Sequence, residues 1–295
     1  MQGYLVAMGV TAGLYALMAL GVNLTWGMAG MVNLGLAGFF AVGGYVTALL
    51  TKGGAAIALG IAAGTIAAAL AGALVALITA RLRADYLAIV TLGFSESVRI
   101  AAANEIWLTN GSDGIAGIPG PWRGAVSPGA YNLLFLAIVL CVLGAVLVLM
   151  QRLAAAPFGR VLRALRDDED VAAVAGKQVL LFKLKAFAIG AGVLGLAGAL
   201  YAHYTSYIAP DIFAPLLTIN IVLALVVGGV GNNRGAVAGA VILVALLEGT
   251  RFAAPWLPFL SAGQIAAMRE LLISVLLLVI LRVLPGGIVP ERIGA

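Results

Sequence analysis

The sequence predicts an all-α integral membrane protein: a polytopic bundle of about nine transmembrane helices with one further helix on the cytoplasmic side. Three observations lead there. Of 295 residues, 63% are apolar and 10% charged, whereas a soluble domain carries about 25% charged residues. The apolar residues fall in runs near the 20 or so needed to cross a hydrocarbon core. Lys and Arg are distributed unevenly between the loops, as in proteins whose cytoplasmic loops hold the positive charge.

The first run, 4–24, follows Met1-Gln2-Gly3, which lacks the basic region of a signal peptide, and reads as an uncleaved span. Further spans are expected over 31–51, 55–80, 86–103, 131–150, 183–205, 214–230, 235–250 and 270–284. Gly-rich breaks at 27–38 and 228–239 interrupt two of these regions, and 27–40 has the alternative of a re-entrant element. The 39 glycines sit mostly inside apolar runs, where small residues let helices approach closely. No internal repeat is evident.

Orientation follows from the loops. The segment 151–185 holds Arg152, Arg160, Arg163, Arg166, Lys177, Lys183 and Lys185, whereas 104–130 holds Arg123 alone. This puts 151–182 in the cytoplasm and 104–130 outside. Arg81 and Arg83 place the 81–85 turn inside, and Arg282 and Arg292 place the C-terminal tail inside; nine spans then leave the N-terminus outside. The net charge of +5 is thus a loop property, not a sign of nucleic-acid binding. The outer stretch Leu108–Pro121 is dense in Gly, Asn, Asp and Pro and reads first as a connector, with a docking surface as the alternative.

The cytoplasmic stretch 157–178 predicts one short amphipathic helix. Pro157 suits its start and Gly176 its stop. Val161, Leu162, Leu165, Val171 and Val174 recur near the helical period. Arg160, Arg163 and Arg166 precede four consecutive acids, Asp167, Asp168, Glu169 and Asp170. Anionic headgroups would repel those acids, which favours a protein groove over the lipid surface as the resting place.

Here a resemblance appears. Asp170-Val-Ala-Ala-Val-Ala-Gly176 is similar to the coupling-loop signature of ABC importer permeases. Gly21–Gly35, Phe39-Phe40, Gly43-Gly44-Tyr45, Asp85–Arg99, Asn110–Gly114, Gly117-Ile-Pro119, Lys183–Gly198 and Gly228–Gly235 follow in the order of the branched-chain amino acid permeases of the LivM type. The first block departs from many relatives at Asn33 and Leu36, where they carry Ser and His. The resemblance implies a second homologous permease, two ATPase subunits that bind ATP and Mg, and an outer solute-binding protein. It implies that Arg163, Arg166, Asp167, Asp168, Glu169, Asp170, Ala173 and Gly176 couple the chain to an ATPase. The implied cargo is a branched-chain or other hydrophobic amino acid, with urea or amides as the alternative.

Polar groups at membrane depth are costly and therefore candidate functional residues. Glu96 lies eleven residues past Asp85, about 16 Å into its span, with Arg99 one turn on. The pair reads as a structural ion pair, or else Ser95, Glu96 and Ser97 line a translocation path. Asn33, Gly35 and Asn220 are further path candidates, with Asn33 and Asn220 expected as buried amides. Glu248 is expected near an outer helix end, within reach of water. His203 is the only histidine and Cys141 the only cysteine, so no metal site is expected and no cofactor bound by this chain. No phosphate-binding P-loop occurs, and Gly93-Phe-Ser-Glu-Ser97 lacks the second glycine of a nucleophile elbow. An enzyme is disfavoured, and a proton-coupled carrier titrating at Glu96 is the rival transport mechanism.

Overall fold

The computed structural model describes every residue except 1, 80, 81, 83, 254–261, 285 and 292–295. Arg81, Arg83 and Arg292, used above for orientation, lie outside the described residues. The chain runs through α1 (Gln2–Val22), a π-helical turn Asn23–Met28, α2 (Leu36–Lys52), α3 (Ile57–Thr79) and α4 (Ala84–Asn104). Then come α5 (Ile106–Thr109), a 3₁₀ turn Gly111–Asp113, β1 (Ile115–Ala116), α6 (Pro128–Ala155), α7 (Pro157–Asp167), α8 (Glu169–Val174) and α9 (Val179–Thr205). It continues with β2 (Tyr207–Ile208), a 3₁₀ turn Pro210–Phe213, α10 (Pro215–Gly228), α11 (Asn233–Ala253) and α12 (Ala262–Val283).

Among the described residues, five helical stretches are long and apolar enough to cross a bilayer: Gly3–Met28, Ile57–Thr79, Asp85–Asn104, Pro128–Ala155 and Val179–Thr205. The shortest has 20 residues, about 30 Å at 1.5 Å per residue. α2 and α10 are apolar but shorter, so each needs flanking non-helical chain to complete a crossing. By length and composition this gives five spans where the sequence predicts about nine.

The centre is built by α2, α3 and α9, whose glycines allow backbone-to-backbone contact. A Cβ on Gly43 of α2 would strike the Gly195 backbone of α9, and one on Gly64 of α3 would lie 2.5 Å from the Gly43 carbonyl oxygen. Buried Phe39 and Phe187 meet edge to face at 6.1 Å between centroids and fill the space below. α1 packs on α6, α9 and α11, and α10 on α11.

Two expectations about continuity are corrected. The segment 31–51 is not helical throughout: α2 begins at Leu36, and 29–35 is unwound. Gly30 takes φ 69°. The Leu34 N–H donates to Thr91 Oγ1 at 3.0 Å and the Gly35 N–H to Asn33 Oδ1 at 2.9 Å. Side chains thus replace part of the lost helical bonding, which is what non-helical backbone at depth requires. The single helix expected over 157–178 is two, α7 and α8. Asp168 breaks it, with an extended backbone (φ −157°, ψ 112°) and its carboxylate Oδ1 accepting the Val171 N–H at 3.0 Å. An aspartate at such a junction competes with helix continuation by capping the next helix.

At the end of the bundle remote from α7, the stretch after α4 is more ordered than a bare connector. β1 and β2 pair antiparallel, Ile115 with Ile208 and Ala116 with Tyr207. The Tyr207 hydroxyl donates to the Asp113 carbonyl at 3.0 Å, and Asn110 Nδ2 to the Gly114 carbonyl at 3.0 Å. At the same end, Glu248 is half-buried and accepts a hydrogen bond from the Tyr4 hydroxyl.

Candidate functional site

The α7–α8 pair forms one end of the molecule. Pro157 starts α7 at its first helical position, where its missing N–H costs nothing. Gly159, Leu162 and Leu165 turn inward, and Phe158 stacks on Phe182 of α9 at 5.7 Å. Lys183 of α9 donates to Glu169 at 2.5 Å and ties α8 to the bundle. The opposite side of α8 is open: Val174 is 91% and Val171 64% exposed, beside exposed Asp170, Ala173 and Gly176. Gly176, at φ 77°, turns the chain back toward α9. A groove of about 550 Å³ between α7 and α8 is lined by Arg160, Val161, Ala164, Asp167 and Val171, among others.

The predicted coupling residues therefore separate into two groups. Asp167, Asp170, Ala173 and Gly176 face outward, and Arg163 borders a cleft shared with Asn232, Arg234 and Glu291. Asp168 caps α8 and Glu169 holds Lys183. Arg166 turns inward: its Nη1 donates to the Gly27 carbonyl at 2.6 Å and to Glu291 Oε2 at 2.8 Å.

Gly27 and Glu291 belong to a junction that links both helix interruptions. Asn23 Nδ2 donates to Asn233 Oδ1 at 2.9 Å, while Asn23 Oδ1 accepts the Gly231 N–H at 2.8 Å. The tail lies across the end of α10, where Ile288 N–H donates to the Val227 carbonyl at 3.0 Å and Val289 N–H to the Gly228 carbonyl at 2.9 Å. These bonds satisfy carbonyls that a helix C-terminus leaves open. The tail and α7 thus share one end of the bundle. Sequence reasoning did not find Asn23, Asn233 or Glu291 as site residues. Asn23 precedes the first Gly-rich break and Asn233 lies inside the second, so both amides carried a usable signal; Glu291 carried none.

The path candidates are not equivalent. Asn33 is fully buried, and its Nδ2 has no hydrogen-bond partner among the described residues. Gly35 packs under the Thr91 carbonyl, and Ser95 is buried against Gly38 of α2. Asn220 is half-buried on α10, not buried as expected, because its neighbours Leu216 and Ile219 lie on an exposed face of that helix. Glu96 and Arg99 do pair, with Arg99 Nε donating to Glu96 Oε2 at 3.0 Å, and the pair lies partly open on α4 with exposed Gly93, Ser97 and Ile100 around it. The 3₁₀ turn carrying Asp211 packs beside the same helix.

A helical bundle with two interrupted helices joined to a charged helix pair at one end has the construction of a membrane permease subunit. The chain belongs to the family described as "branched-chain amino acid transport system / permease component", whose model matches residues 4–281. It is 33% identical to the high-affinity branched-chain amino acid transport system permease protein LivM of Salmonella typhimurium, over 80% of this chain and 61% of that protein. It is 30% identical to a probable LivM of Methanocaldococcus jannaschii, over 95% of this chain and 91% of that protein. It is also 26% identical to the LivH permease of Escherichia coli, over 95% of this chain and 92% of that protein. The chain thus spans about three fifths of the Salmonella relative and nearly all of the archaeal one. No solved structure gives a significant match.

Proposed function

We propose that this chain is the membrane-spanning subunit of an ATP-driven importer that carries branched-chain or other hydrophobic amino acids into the cytoplasm. In this reading it crosses the cell membrane about nine times, with α2 and α10 completing crossings through their unwound flanks. The chain itself is non-catalytic. A second, LivH-like permease completes the pore, two ATPase subunits supply ATP and Mg binding, and a solute-binding protein docks outside. The observation that carries the reading is the outward face of α8: two exposed valines framed by acids at the end of an amphipathic pair, a surface shaped for a protein groove. The face of α4 supports the pore. A charged side chain facing lipid at mid-span costs about 2.5–3.5 kcal/mol, so the open Glu96–Arg99 pair suits the aqueous path between two permeases.

The test is transport in vesicles carrying the co-expressed complex. ATP-dependent leucine uptake is expected, and Asp170→Lys should abolish ATPase association and uptake together. Uptake driven by a proton gradient without ATP would refute the mechanism. Competition by urea but not by leucine would refute the cargo.

A further inference from the structure

We propose that Arg166 is the pin that transmits movement of the α7–α8 pair into both interrupted helices, so that it couples ATP hydrolysis to transport without forming part of the ATPase-binding surface. Arg166 is the last basic residue of α7, yet its side chain is only 22% exposed. One nitrogen bridges the Gly27 carbonyl, in the π-helical turn after α1, and the Glu291 carboxylate, itself 18% exposed. Glu291 in turn lies against Gly231 in the α10–α11 break: a Cβ there would sit 2.6 Å from its Oε2. On the other side, the Arg166 stem rests on Gly30 at the start of the unwound 29–35 stretch, where a Cβ would lie 3.0 Å from Cγ.

The contacts are short, charge-assisted and poorly accessible to water, so they are stiff. Glycine at 30 and 231 lets the neighbouring chains sit directly on the pair, with φ of 69° and 88°. Asn23 closes the circuit by bonding both Gly231 and Asn233. A displacement of α7 therefore reaches both breaks through the Arg166 guanidinium, which adds a polar link to the direct packing of α7 on the π-helical turn. α8, which presents the outward surface, is held separately through Lys183 and Glu169. Arg166 Nε also pairs with outward-facing Asp167 at 3.4 Å, so the surface that meets the ATPase and the pin that transmits its movement are neighbouring but different side chains.

The inference rests on the docking reading above, and the two fail differently. Docking fails if Asp170→Lys leaves the ATPase bound; the pin fails on variants at the junction. The experiment uses the whole transporter in proteoliposomes, with leucine-loaded binding protein, and measures ATPase co-purification, ATP hydrolysis and leucine uptake. Arg166→Gln should retain the ATPase in parental amount and keep hydrolysis within about twofold, while uptake falls about tenfold, a typical coupling factor. ATP consumed per leucine then rises about fivefold or more. Glu291→Gln keeps the bond to Gly27 and should raise that ratio less, about threefold. Parental uptake in Arg166→Gln overturns the proposal, as does loss of the ATPase from it, or a proportional fall of hydrolysis and uptake. If Arg166→Gln fails to fold, Glu291→Gln decides: an unchanged ATP-to-leucine ratio overturns the proposal.

Discussion

Adding one methyl group at Gly43 should destabilise the bundle, while the same change at Gly144 should stabilise it. Both glycines lie within long helices. At Gly43 the new Cβ would run into the Gly195 backbone, which cannot rotate aside as a side chain can, so α2 and α9 must separate. Overpacking of this kind costs about 1–3 kcal/mol. At Gly144, on the exposed side of α6, nothing lies within 4 Å of an added Cβ, and Gly→Ala there gains about 0.4–1 kcal/mol through the unfolded chain. The two variants should thus differ by roughly 1.5–4 kcal/mol, an order of magnitude or more in the unfolding equilibrium at 1.4 kcal/mol per decade. Titration of the detergent-purified protein with SDS, followed by tryptophan fluorescence, reads the midpoint of each. If Gly43→Ala matches the parent, or if Gly144→Ala falls as far as Gly43→Ala, close helix contact is not what the central glycines provide.

Asp168→Ala removes the cap of α8 and should cost about 0.5–2 kcal/mol locally; faster amide exchange over 169–174 with α9 unchanged is the expected signature. Thr91→Val leaves the Leu34 N–H without its acceptor at 3.0 Å, a loss of about 1–3 kcal/mol that should lower the SDS midpoint, and an unchanged midpoint would show that water reaches this stretch. Single removal of Glu96 or Arg99 should lower leucine uptake more than removal of both, since each single change leaves an uncompensated charge in the proposed aqueous path; a strictly additive double-mutant cycle would count against the pair.

The long helices were legible because apolar runs mark them: each of the nine expected segments overlaps a helix, though among the described residues only five helical stretches are long and apolar enough to cross a bilayer. The Glu96–Arg99 pair was legible for a related reason: residues three apart share a helix face. The break at Asp168 was missed although a signal was present: the charged run 166–170 leaves a six-residue step from Leu165 to Val171 that no single helix face accommodates, and an aspartate there is a natural cap. The unwound 29–35 stretch was half legible. Its glycines marked a weak point, but glycine is also common within intact membrane helices. The Arg166–Glu291 contact joins residues 125 apart, and no local pattern points from one to the other. Asn220 was misjudged because an apolar run does not say which of its faces meets a neighbour.

The two-residue ladder between β1 and β2 makes the loop after α4 a rigid extension of the α9–α10 junction. With Ile118 N–H donating to the Ser206 carbonyl at 3.2 Å and the Arg123 guanidinium 4.8 Å over the Tyr131 ring, this rim is pre-organised. A protein landing there loses little binding free energy to ordering a loop. The same chain runs directly into Asp211, beside the partly open Glu96–Arg99 face of α4, so a contact at the rim and the setting of that charged face fall to the same few residues.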